Sequence, residues 1–212
     1  MRRLPVYLLL DVSGSMSGEP IEAVKTGMQT LHNALRKDPY ALESAYVSVI
    51  TFASEVNQVV PLTEVAQFTP PEIRAGGGTA IGGVLAKVVE CAEAEVKKST
   101  PEQKGDWKPL VFIMTDGYPT DSVDEGLAKF KQYHWGTVVA CAAGDQCDEE
   151  LLAKITGNVV KLATADQNSI AAFFKWVSAS VSTSSKKIDA GGGDSTMDEL
   201  PPPPPEITLV QP

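Results

Sequence analysis

Cysteine and histidine are scarce in this 212-residue chain: three cysteines (Cys91, Cys141, Cys147) and two histidines (His32, His134). An odd number of cysteines without CxxC spacing does not make a disulfide framework and suits a reducing compartment, the cytoplasm. With so few sulfur and imidazole ligands, no structural zinc site is expected. Cys91 and Cys141 read as small core residues. Long apolar runs are also missing, and no stretch approaches the ~20 residues that span a bilayer. Met1-Arg2-Arg3 and the residues after it imitate a signal peptide, but the run Val6 to Leu10 is short and Asp11 closes it without a small-residue cleavage site. The expectation is a soluble, non-secreted protein with no membrane partner. Basic charge is short as well. The chain has 18 Lys and Arg against 27 acids, a net charge of −9. A surface of that sign repels phosphate backbones, so no nucleic-acid partner is expected. From Ala190 to Pro212 there is no base at all, only Asp194, Asp198, Glu199 and Glu206.

A hydrophobic content of 43% with 21% charged residues excludes a wholly disordered chain and a coiled coil. Val6 to Leu10 reads as a strand buried on both faces. Ile21, Val24, Met28, Leu31 and Leu35 mark a helix from Glu19 that Lys37-Asp38-Pro39 ends, with Pro20 tolerated in its first turn. Tyr46 to Phe52 and Val56 to Leu62 read as two strands of a hairpin. Gly76-Gly77-Gly78 is a loop, and Thr79 to Val96 a helix. Leu110 to Met114 is a second fully apolar strand, followed by a short helix on Val123, Leu127 and Phe130. Thr137 to Ala143 (strand), Glu149 to Ile155 (helix), Val159 to Leu162 (strand) and a helix on Ile170, Phe173, Phe174, Val177 and Val181 complete the series. Apolar strands alternating with amphipathic helices predict a doubly wound α/β fold, a mostly parallel sheet with helices on both faces.

After about Ser184 the composition changes. Three glycines, an acidic stretch and Pro201 to Pro205 cannot build a packed core. The expected organisation is a domain over 1–183 and a flexible acidic, proline-rich tail over 184–212. Such a tail is a solubilising end, or it has one of two docking uses. A polyproline rod could present Ile207 to Val210 to a partner groove or as an added strand. Alternatively, Asp198 or Glu199 could ligate a neighbouring copy's metal site. Ser195 and Thr196, set among acids, are candidates for phosphorylation.

In open α/β sheets, ligands bind beyond the carboxyl ends of the strands. Three such ends carry oxygen ligands here: Asp11-Val12-Ser13-Gly14-Ser15 after the first strand, Thr79 after the triple glycine, and Asp116 in Met114-Thr115-Asp116-Gly117. Oxygens at 11, 13 and 15 alternate, so their side chains can turn inward around one cation. Carboxylates and hydroxyls without sulfur or imidazole suit a hard ion, Mg2+ before Ca2+ because only two acids are offered. Gly14 lets the loop wrap tightly, and the triple glycine brings Thr79 close.

Asp11-x-Ser13-x-Ser15, Thr79 and Asp116-Gly117, within LLLDVSGSM and VFIMTDGYPTD, resemble the metal-ion-dependent adhesion site (MIDAS) of von Willebrand factor A domains. The resemblance covers roughly residues 4–182. It implies a central, mostly parallel sheet with one short antiparallel edge strand, placed at Val56 to Leu62. It also implies a non-catalytic Mg2+ site, with Mn2+ or Ca2+ as substitutes. In that site Ser13 and Ser15 bind directly, Thr79 directly or through water, and Asp11 and Asp116 largely through water. An Asp or Glu from a partner protein fills the open position, flanked by Gly14, Gly78, Gly117 and Tyr118. Within the family, the phrasing and size are similar to bacterial TerY-type proteins of tellurium-resistance and stress systems. That similarity implies a PP2C-type phosphatase and a protein kinase as partners.

Rival chemistries lack parts. A Mg2+-dependent phosphohydrolase of the haloacid-dehalogenase kind needs a second Asp where Ser13 stands, and Ser13 cannot transfer that proton at neutral pH. An EF-hand loop from Asp11 would want Gly at Met16. No G-x-S-x-G surrounds the serines, and neither histidine sits in a motif, so both read as helix-surface or capping residues. Gly76-Gly77-Gly78-Thr79 lacks the P-loop lysine. Thr120 and Asp121 read as caps opening the Val123 helix. The remaining alternative is a structural domain whose caps imitate a site.

Overall fold

The computed structural model describes residues 2–210. Seven strands and six helices follow in the order β1 (Leu4–Asp11), α1 (Glu19–Lys37), α2 (Pro39–Ser44), β2 (Ala45–Phe52), β3 (Val56–Glu64), α3 (Ile81–Glu95), β4 (Leu110–Thr115), α4 (Asp124–Gln132), β5 (Val138–Ala143), α5 (Glu149–Ile155), β6 (Val159–Leu162), α6 (Gln167–Asp189) and β7 (Ile207–Val210). They form one sheet in the order β3-β2-β1-β4-β5-β6-β7. The five inner strands are parallel, and β3 and β7 close the two edges antiparallel. The chain leaves β1 toward β2 on one side and returns to β4 on the other. The strand order therefore reverses between β1 and β4, which opens a crevice at their carboxyl ends. No helix among the described residues is long and apolar enough to cross a membrane.

Why β1 reads as an unbroken apolar run follows from its two covered faces. Val6, Leu8 and Leu10 join the core beneath α1 and α6, while Tyr7 and Leu9 join the core beneath α3, α4 and α5. Each full burial of such a side chain is worth about 1.5–3 kcal/mol. On α1 the predicted stripe Ile21, Val24, Met28, Leu31 and Leu35 is buried. Gly27 lets α1 lie against α6, because a Cβ there would collide with the ring of Phe174. The edge strand β3 alternates half-buried and exposed residues, as a strand with one solvent face does.

Several expectations need correction. A helical turn, α2, follows α1 at once: Asp38 accepts from the N–H groups of Tyr40 and Ala41, and Pro39 sits where a helix tolerates it. His32 is not a surface residue. It is 8% exposed and meets Phe68 edge-on at 5.5 Å, because the connection carrying Val65, Phe68 and Ile73 covers that side of α1. His134 is exposed.

The boundary expected at 183/184 lies inside α6, and the segment beyond is packed rather than loose. Ser195, Leu200 and Ile207 are buried. Thr137 Oγ1 donates to the Ser195 carbonyl, and Lys187 and Lys108 pair with Glu199 and Asp194. The strand that Ile207 to Val210 adds is therefore made to the chain's own β6. Glu199 is taken up by Lys187 and by the Thr196 N–H, Asp198 is exposed, and Ser195, one of the two phosphorylation candidates, is covered. The physical reason is that the tail needs no core of its own. It lies on the open edge of β6 and on α6 around Trp176.

Candidate metal centre

The crevice between β1 and β4 receives Asp11 as the last residue of β1 and Asp116 immediately after β4. Asp11 is 1% exposed, and both its oxygens are occupied: Oδ1 accepts from the Ser13 N–H at 2.8 Å and Oδ2 from Thr115 Oγ1 at 2.6 Å. Ser13 Oγ lies 3.0 Å from Ser15 Oγ, and Ser15 Oγ donates to Asp116 Oδ1 at 2.6 Å. Ser13, Thr79 and Asp116 are buried as well. A Cβ built on Gly117 would stand 3.6 Å from Thr79 Oγ1 and 4.0 Å from Ser15 Oγ, so these two hydroxyls border one small space. The structure thus brings together all five oxygen-bearing side chains singled out in the sequence.

The glycine loop is tied to the β1 loop by two backbone bonds, Gly14 N–H to the Gly77 carbonyl and Gly76 N–H to the Val12 carbonyl, both 2.9 Å. Gly77 has φ 82°, and a Cβ there would stand 2.6 Å from Ser54 Oγ, so only glycine fits. Gly78 N–H donates to Ser54 Oγ at 2.8 Å. Of the four residues placed around the open position, Gly14 and Gly78 therefore build the loop junction and Gly117 borders the Thr79 and Ser15 hydroxyls. Tyr118 projects outward, 61% exposed.

Sequence reasoning missed a supporting ring. Thr115 holds Asp11. Thr120 Oγ1 accepts from the Thr79 N–H at 2.8 Å, and the Thr79 carbonyl accepts from the Thr120 N–H at 2.9 Å. Asp121 caps α3, not α4, accepting from Gly82 N–H and Gly83 N–H. The expected capping role stands, but on a helix some forty residues earlier in the chain. Nothing local in the sequence announces such long-range partners. The one available signal is a threonine ending an apolar strand directly before an aspartate.

The electrostatics of the centre are unbalanced. Burial raises the pKa of Asp11 above its ordinary value, the bonds from Ser13 and Thr115 oppose that, and the Asp116 charge raises it again. Among the described residues neither Asp11 nor Asp116 belongs to an ion pair with a base. Two neighbouring buried acids without a base call for a cation. Among the described residues no three His, Cys, Asp or Glu converge, so an ion held here would need hydroxyls and water to complete its shell. An all-oxygen set with two acids fits a hard divalent ion.

A model of the von Willebrand factor type A domain matches residues 6–175. Over 119 residues the chain is 33% identical to the uncharacterized protein sll0103 of Synechocystis sp., covering 55% of this chain and 26% of that protein. The chain thus spans about a quarter of that relative's length. Among solved structures it is similar to proximal thread matrix protein 1 of the mussel byssus with a zinc-occupied MIDAS motif (21% identity, TM-score 0.61, 84% of this chain and 48% of that one). It is similar also to a von Willebrand factor type A protein from Catenulispora acidiphila (17%, TM-score 0.66, 86% and 43%) and to the pilus adhesin SpaC of Lactobacillus rhamnosus GG in its open conformation (16%, TM-score 0.68, 86% and 30%). At these identities the structures show a shared fold.

Proposed function

The chain belongs to the von Willebrand factor type A domain family, whose members are generally non-enzymatic protein-interaction modules, and from that premise we propose that it captures a carboxylate of a partner protein through a divalent ion, Mg2+ by preference. Asp11, Ser13, Ser15, Thr79 and Asp116 are the residues that would hold the ion. When bound, it supplies an electrophilic position that a partner's Asp or Glu can ligate. The observation that carries this reading is the pair of buried acids served only by hydroxyl and amide donors. Thr115 and the Ser13 N–H fix Asp11, and Ser15 fixes Asp116. The glycine junction sets the height of Thr79. These contacts hold the oxygens in place before binding, so little ordering is needed when a ligand arrives. Tyr118 and the backbone at Gly14, Gly78 and Gly117 surround the open position as the contact surface for the partner.

The finer assignment is a TerY-type scaffold or regulator, acting in a bacterial tellurium-resistance or stress system beside a PP2C-type phosphatase and a protein kinase. It rests on the overall phrasing and size of the sequence. A cytoplasmic setting is supported by three free, buried cysteines. The phosphohydrolase alternative gains nothing, since the position of its acid/base Asp is held by Ser13, whose hydroxyl lies against Ser15.

Calorimetric titration of the chelator-stripped protein with Mg2+, beside Asp11→Ala, tests the reading. Binding by the unsubstituted protein alone supports it, and a pull-down with and without chelator then finds the partner. Equal behaviour of the two proteins in both titration and pull-down removes it.

A further inference from the structure

The packed C-terminal segment carries a second surface, remote in sequence from the metal loops. Its proline run is fixed at both ends. Leu200 is buried with φ −73° and ψ 156°, the dihedrals of polyproline II. Ile207 is buried, donates its N–H to the Pro204 carbonyl at 2.9 Å and opens β7. In between, the Trp176 indole N–H donates to the Pro201 carbonyl at 2.7 Å. Exposure along the run follows a period of three: Pro201 and Pro204 are half-buried, whereas Pro202 and Pro205 are exposed. Polyproline II repeats every three residues, so Pro202 and Pro205 share one face, which borders an open groove against Asn168, Ala172 and Lys175 of α6. Among the described residues the carbonyls of Pro202 and Pro203 accept no hydrogen bond. Asp198 and Glu206 are exposed on either side of the run, and among the described residues neither pairs with a base, whereas Asp194 and Glu199 are held by Lys108 and Lys187.

We propose that the Pro202–Pro205 face is a docking ligand for a partner protein with an aromatic-lined, polyproline-binding groove and a basic rim. Such grooves seat two prolines of one face in aromatic slots and donate to the free carbonyls between them. The basic rim follows from the acids on either side of the run. Trp176 and β7 have already ordered the segment, so the entropy of straightening a free proline peptide is not lost on binding.

Purified WW and SH3 domains, both polyproline-binding, serve as probes against the full chain, against Pro202→Ala/Pro205→Ala, and against a synthetic peptide of residues 198–210. Thermal unfolding confirms that the variant keeps its fold, and Pro203→Ala is the control on neither face. The proposal expects at least one domain to bind the full chain, the double variant to weaken binding by about tenfold or more, and Pro203→Ala to leave it within about twofold. It is overturned if the peptide binds and the full chain does not, since the docked run would then be hidden. Binding that survives the double substitution overturns it too, as does failure of both peptide and chain to bind.

Discussion

The two ends of the sheet bury acids in opposite ways. At the amino ends of β1 and β4, Asp106 is held by Arg3, with Nε to Oδ1 at 3.0 Å and Nη2 to Oδ2 at 2.5 Å, and it also accepts from the Lys97 N–H. The Asp106 side chain is 3% exposed, and the bond to Asp106 raises the Arg3 pKa. Glu95, half-buried nearby, is covered by Tyr7, Gln58 and the Leu62 N–H. At the carboxyl ends of the same strands, Asp11 and Asp116 are buried beside each other, and among the described residues no base pairs with either. A buried charge that carries its own counter-ion serves the fold. A pair that lacks one is incomplete until something cationic arrives.

Removing a partner at the amino end should have the largest effect. Asp106→Ala strands the Arg3 guanidinium and should cost about 3–5 kcal/mol in urea unfolding, equally with Mg2+ or with chelator. Next comes the carboxyl end, where the cost should depend on the metal. At Mg2+ about 100-fold above its dissociation constant, binding stabilises the native state by about 2.7 kcal/mol. Asp11→Asn and Asp116→Asn should abolish that increment and leave the chelated protein nearly as stable as before. If the increment survives in both variants, the two ends do not differ as described. Smaller again is Thr115→Val, which deletes the donor to Asp11 Oδ2 with little change of shape and should cost about 1–2 kcal/mol in chelator, read by the same unfolding curves.

How much of this was legible in the sequence follows the range of the interactions. β1, α1, β4, α5 and β6 lie within a residue or two of their expected bounds, because each is set by its own periodicity and punctuation. The placing of Asp11, Ser13, Ser15 and Asp116 at the ends of β1 and β4 was legible because those ends are marked locally by Asp and Ser after apolar runs, whereas Thr79 stands before α3, behind the glycine loop. Asp121 on α3, Thr115 on Asp11 and Arg3 on Asp106 were not, since each pairs residues about 40 to 100 positions apart. The packed tail was illegible for a related reason. Composition shows that 190–210 cannot make a core, but not that the edge of β6 and the face of α6 around Trp176 are free to receive it. The family resemblance ends near there too, as the match stops at residue 175, within α6.

His32 is a third kind of buried ionisable group and sharpens the comparison. It has no counter-charge, and among the described residues both ring nitrogens are buried without a partner, against Phe68. Burial lowers its pKa from the ordinary 6.5, and the charge of Arg36 lowers it further. Between that lowered value and about 6.5 the unfolded chain binds the proton and the native one does not, so stability falls as the pH drops through this window. Above it the ring is neutral in both states and the pH dependence vanishes. His32→Leu should remove this dependence while keeping apolar bulk against Phe68. It should also relieve the two stranded nitrogens, so the variant should equal or exceed the parent by up to about 1 kcal/mol at neutral pH. Urea unfolding of parent and variant at a series of pH values from 7.5 to about 5 reads both effects. Parallel curves across that range would mean that His32 has a partner in solution, and the contrast would reduce to the two acid sites.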